Sequence, residues 1–218
     1  MRGPFPIFLE RFDKALEVFL GQLDFIEHFS SAKMFIAAQT SLRSAILIAK
    51  AGTVPQCIPL LRHALECSIY GFAFKFDRNF YRDWKLRETS ASAKKRLQHD
   101  HSIRSKIRLV GGHNKLLQQD IESQYDTLIS FGAHPNVFQI DSSIKFVFDE
   151  DSEDGMANFT IFGGGDDRKN GYLFAATTYE CCLQLIYLVW PERCLLLGIE
   201  AARRDALFEY QRFIENTR

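Results

Sequence analysis

Apolar positions recur at steps of three and four along most of this chain. Between residues 7 and 28, Phe12, Leu16, Phe19, Leu23 and Ile26 fall on one face of a helix. Ser30 or Ser31 can accept a backbone N–H bond and open a second helix, which runs to a stop at Gly52. Its inner face, Met34, Ala38, Ser41, Ala45 and Ile48, is rich in small side chains that let a neighbouring helix approach closely. A third helix starts near Thr53 and Pro55, and Pro59 blurs its first turn because a second ring removes another backbone donor. Leu61, Leu65, Ser68, Phe72 and Phe76 then keep the helical period. Residues 77–113 are strongly polar and predict one or two exposed helices, with a break at Asp100-His101-Ser102 and a stop at Gly111-Gly112. The apolar pattern resumes over 116–131 through Leu117, Ile121, Tyr125 and Leu128, until Gly132 and Pro135 end it.

The period then shortens to two. Ile144, Phe146 and Phe148 alternate along one stretch, Phe159 and Ile161 along another, and a Glu/Asp/Ser/Gly linker lies between them. This predicts a β-hairpin. The glycines 163–165 with Asp166 and Asp167 predict a closing loop, followed by helices over 172–190 and 192–216, the second begun by Pro191. The expected fold class is mainly α: a helical bundle with a two-stranded antiparallel β-hairpin insertion near 143–163. Residues 1–218 read as a single helical domain, with 142–167 as the hairpin and Gly-rich loop inserted in it.

Composition adds a charge layout. The 27 basic and 27 acidic side chains cancel, which excludes a protein that coats nucleic acid or membrane by bulk charge. The cancellation is not local. Residues 78–115 carry a net +8 and residues 116–167 a net −10. A cationic helix face can pair with the acidic hairpin, with a second subunit, or with phosphates; Lys94, Lys95, Arg96, Arg104 and Arg108 are the candidate nucleic-acid-binding residues. Aromatic residues accompany the block only at its start (Phe80, Tyr81, Trp84), which gives little basis for a stacking surface. The five cysteines lie inside apolar helical patterns without a CxxC pair, as buried reduced thiols of a cytoplasmic protein would. No secretory signal is legible, and the most apolar run, 181–191, is too short to span a bilayer.

Two other patterns fail as ligand sites. The acidic turn from Asp149 puts Gly155 at position seven rather than six and has no Glu closing a 12-residue calcium loop. The triple glycine is not followed by Lys and Ser/Thr, so it is no phosphate loop. No metal ligand set and no cofactor motif is offered.

One polar constellation carries candidate chemistry. Arg62 and Glu66 stand one helical turn apart among Ile58, Leu65, Ile69, Tyr70 and Ala73, and two charges on an apolar surface need each other and further hydrogen bonds. Tyr125, Ser130, His134 and Asn136 cluster where the helix over 116–131 ends, and His134 is expected to face Arg62 and Glu66. Such a group is either a buried network fastening two helices or a small pocket using His134 as acid, base or phosphate ligand, with Arg62 and Glu66 as its catalytic companions.

The stretches Leu60-Leu61-Arg62-His63-Ala64-Leu65-Glu66 and Tyr125 to Asn136 resemble a widespread bacterial family of helical proteins placed near the HEPN superfamily. The resemblance, over roughly residues 35–190, implies a helical bundle, often dimeric, and many HEPN-like proteins are ribonucleases of toxin or phage-defence systems. Those enzymes use Arg-x(4–6)-His with Asn, Asp or His after the Arg. Arg96…His101 and Arg108…His113 match the spacing, but Leu97 and Leu109 follow the arginines. The leading expectation is therefore a cytoplasmic HEPN-like homodimer acting through binding, as a regulatory or defence-associated component. The alternatives are a metal-independent ribonuclease and a small-ligand-binding bundle; RNA is the partner considered, and a membrane is not.

Overall fold

The computed structural model describes residues 5–23, 27–132, 144–148, 155–159 and 165–216. Its helices are α1 (Ile7–Leu20), α2 (Phe29–Ala51), α3 (Val54–Phe76), α4 (Arg78–Leu86), α5 (Ala91–Asp100), α6 (Ile103–Gly111), α7 (Lys115–Gly132), α8 (Gly165–Val189), α9 (Pro191–Leu196) and α10 (Ile199–Glu215). The packing centre is the α2–α3 pair, with α8 laid across both and α1 held between α8 and α10. Ala38, Ala45 and Ala49 of α2 and Ala64 of α3 are fully buried, so small side chains let these helices close on each other. At Gly71 a Cβ would stand 2.8 Å from the Phe35 ring, so α3 approaches α2 more closely there than any side chain allows. Pro59 lies inside α3 without ending it.

The helical bundle expected from the sequence is present. The β-hairpin insertion in that expected fold class is corrected. Among the residues described with side chains the protein is all-helical, 87% helix, without strand or sheet. The backbone segments β1 (Ile144–Phe148) and β2 (Gly155–Phe159) pair antiparallel, Phe146 opposite Ala157. The hydrophobic core among the residues described with side chains is built by helices. Alternating apolar residues mark an extended backbone; alternation alone does not decide how such a segment packs.

Other boundaries moved for local reasons. The first helix stops at Leu20, capped by Gly21, well before residue 28. α2 begins without a serine cap: His28 takes the left-handed conformation (φ 60°), Ser30 Oγ bonds the Tyr81 hydroxyl at 2.9 Å, and Ser31 is buried. The polar region forms three short helices. Each has a side-chain N-cap, from Asp77, Ser90 and Ser102, accepting the N–H of Phe80, Ala93 and Ser105. Gly165 already belongs to α8 rather than to a loop. The helix expected over 192–216 is two, because Gly198 (φ 65°) turns the chain between α9 and α10.

Within α8, Arg168–Val189 is, among the described residues, the one segment long and apolar enough to cross a membrane by length and composition. It extends well beyond the run at 181–191. More than half of it is buried in the protein, where Tyr179, Cys182, Leu185, Ile186 and Val189 have no more than a trace of exposure.

Candidate functional site

The Arg62–Glu66 group assembles in part. Arg62 Nε donates to Glu66 Oε1 at 2.9 Å, and the Tyr125 hydroxyl donates to the same oxygen at 3.1 Å. α3 and α7 place these three side chains on one seam. The Tyr125 ring lies between two guanidiniums, Arg62 at 5.7 Å and Arg104 at 5.1 Å from its centroid. Arg104 in turn pairs with Asp126. The Arg62 and Glu66 side chains are 36% and 28% exposed, so the pair is half-buried at the edge of the seam rather than sunk in apolar surroundings. Burial, then the Glu66 carboxylate, raises the Tyr125 phenol above its ordinary range and keeps it a hydrogen-bond donor. Ser130 is exposed near the end of α7. His134 and Asn136 lie outside the described residues, and the group among the described residues is Arg62–Glu66–Tyr125–Arg104.

A second network, not anticipated from sequence, runs through α4, α5 and α6. Lys106, only 4% exposed, donates to Asp77 Oδ2 at 2.7 Å and to His101 Nδ1 at 2.9 Å. The other ring nitrogen of His101 faces Asp83 Oδ2 at 3.4 Å. Asp83, 2% exposed, receives both Nε and Nη2 of Arg96, at 2.8 and 2.7 Å. The chain Asp77–Lys106–His101–Asp83–Arg96 thus balances two carboxylates with two cations. Both ring nitrogens of His101 are thereby engaged, one facing Asp83 and the other Lys106. Hydrogen bonding and charge from Arg96 hold the Asp83 carboxyl well below the usual carboxylate range. For Asp77 burial pushes upward, but Lys106 and the Phe80 N–H outweigh it and leave the group lowered. In sequence Asp77 and Asp83 stand six residues apart at the start of the basic block, and spacing alone does not connect them to Arg96, His101 and Lys106.

The network sorts the basic block. Arg96, Lys106 and Arg104 are engaged with carboxylates, whereas Arg78, Lys85, Lys94, Lys95 and Arg108 are exposed and form no ion pair among the described residues. Of the candidate nucleic-acid-binding residues, Lys94, Lys95 and Arg108 therefore offer free charge; Arg96 and Arg104 are held in internal pairs. The two Arg…His spacings do not form acid–base pairs. His101 has both ring nitrogens occupied, and His113 lies against Phe72 and Phe76, 4.2 Å from the latter's centroid.

Beside the network α3, α4 and α5 enclose an open cleft of about 290 Å³, walled by Tyr70, Phe80 and Trp84 and rimmed by Arg87, Lys94 and His101. Phe80 and Trp84 come from the start of the basic block, as read from the sequence, and Tyr70 joins them from α3, eight residues before that block begins. The cysteines carry no chemistry here. All five are buried and free, and burial lifts Cys57, Cys182 and Cys194 to about 12 and Cys67 to about 11, keeping them protonated. Among the described residues no group of three or more His, Cys, Asp or Glu side chains could hold a metal ion.

Comparison with protein-family models, with curated proteins and with solved structures gave no match.

Proposed function

We propose that this protein acts through binding, and that its α4–α6 surface engages the phosphate backbone of RNA. The carrying observation is the division of labour within the basic block: Asp77, Asp83 and Asp126 absorb Lys106, Arg96 and Arg104, while Lys94, Lys95 and Arg108 are exposed and form no ion pair among the described residues. Cations not neutralised from within are available to displace the counterions of a polyanion. A ribonuclease reading has weaker support, because His101 and Arg96 are committed to Asp83 and Lys106. The HEPN-like resemblance, a cytoplasmic location, a homodimer joined through its opposite charge blocks, and a regulatory or defence role belong to the same proposal.

The test is fluorescence anisotropy of a labelled single-stranded RNA at several salt concentrations. Affinity should fall steeply with salt, and each of Lys94→Ala, Lys95→Ala and Arg108→Ala should reduce the logarithmic salt slope by about 0.7. Absent binding at low salt, or binding indifferent to salt and to all three substitutions, rejects the proposal.

A further inference from the structure

We propose that the cleft between α3, α4 and α5 seats a single nucleotide base against its aromatic wall while Lys94 and Arg87 hold the adjoining phosphate. Taking that base as one of an RNA strand rests on the RNA-binding reading above.

The wall is rigid. Tyr70 and Phe80 meet edge to face with centroids 5.0 Å apart, and Trp84 is backed by Phe74 at 5.0 Å. The Arg87 guanidinium lies over the Trp84 ring, 4.5 Å from its centroid. A π face that accepts a planar cation also accepts a planar base, and Arg87 is an exposed side chain that can yield its place. Its partner Glu88 is 82% exposed, so the Arg87–Glu88 pair opposes this little. His101 on the rim is fixed, since it is held from both sides by Lys106 and Asp83.

Charge is confined to the rim, where Lys94 has no ion partner among the described residues. The Tyr70 hydroxyl and the Gln98 amide, also lining the cleft, make no hydrogen bond among the described residues and can meet the polar edge of a base. At about 290 Å³ the cleft stands at the small end of ligand sites. It has room for one nucleotide and none for a stacked pair. Phosphate alone would leave the aromatic wall uncovered. An aromatic wall with cations at its mouth matches the two halves of a nucleotide.

The intrinsic fluorescence of the full chain reports on this site. Of the two tryptophans, Trp190 is buried and bonds the Glu27 carbonyl, so a ligand in the cleft meets Trp84. Adenosine 5′-monophosphate should quench the emission and ribose 5-phosphate should not. Trp84→Phe keeps an aromatic ring in the wall and should abolish the response; Lys94→Ala should weaken the nucleotide and raise the concentration needed for half-saturation. Trp84→Ala, if it remains folded by circular dichroism, should bind the nucleotide roughly tenfold more weakly. No quenching by the nucleotide, equal quenching by ribose 5-phosphate, or an unchanged response in Trp84→Phe overturns the base seat.

A second arm separates this seat from RNA binding. An abasic strand with the same number of phosphates should bind about tenfold more weakly than the normal strand. Equal binding of the two strands overturns the seat and leaves the RNA reading standing. Quenching by the mononucleotide with no binding of either strand sustains the seat and overturns the RNA reading.

Discussion

Glu66 Oε1 accepts from two residues at once, Arg62 from its own helix and Tyr125 from α7. Tyr125→Phe removes the bond between helices while leaving the ring between its two arginines. The expected cost is about 1 kcal/mol in urea unfolding, the scale of one hydrogen bond at a half-buried site. A loss below about 0.3 kcal/mol would show that the seam is held by packing alone. Asp83 makes a prediction of opposite character. Its carboxyl sits below its unfolded value near 3.9, so its contribution is fully present above that pH and disappears as acid protonates the folded form. Asp77 shifts in the same direction. Asp83→Asn should lower the melting temperature at pH 7 and flatten the loss of stability between about pH 5 and pH 2. An unchanged acid profile would mean that other carboxylates set it.

Helix formation was legible wherever an apolar stripe and a local signal coincided. Gly52 stops α2 and the chain breaks at His101-Ser102, as expected; the polar region forms three helices rather than the one or two expected, because Asp77, Ser90 and Ser102 each cap a start. Where tertiary position decides, the pattern was silent. Gly71 is not a turn residue; it is where α3 closes on the Phe35 ring of α2. Gly71→Ala should cost about 1–3 kcal/mol by overpacking, measured by chemical denaturation, because Phe35 is fully buried and has no room to retreat. A neutral result would mean that the α2–α3 seam can shift as a unit. The candidate site divides in the same way. The Arg62–Glu66 pair followed from i,i+4 spacing, and Tyr125 reaches it from α7 where His134 was the residue expected to face it, but the Asp83–His101–Lys106 network and Tyr70 in the cleft depend on how α3, α4, α5 and α6 cross. No local spacing encodes that.

At the scale of the molecule, α1 packs against α10 and α8. Phe8 meets Tyr210 at 5.4 Å and Phe213 at 5.0 Å, and Arg11 reaches Glu209 at 3.5 Å. Asp13 of α1 collects Tyr179 of α8 and Gln39 and Arg43 of α2, so the N-terminal helix is fastened by polar bonds as well as by its apolar face. Phe8→Ala should therefore cost about 3–5 kcal/mol, as in the deep interior, and not the small amount of a frayed end. A loss under about 1 kcal/mol in the same denaturation experiment would show α1 to be loosely docked. This closure of the chain on itself also sets an order of events. As the polypeptide is synthesised, α1 appears before α10, and the helix that covers Phe8 follows it by nearly two hundred residues. Until then its aromatic face must wait uncovered or rest on a temporary partner.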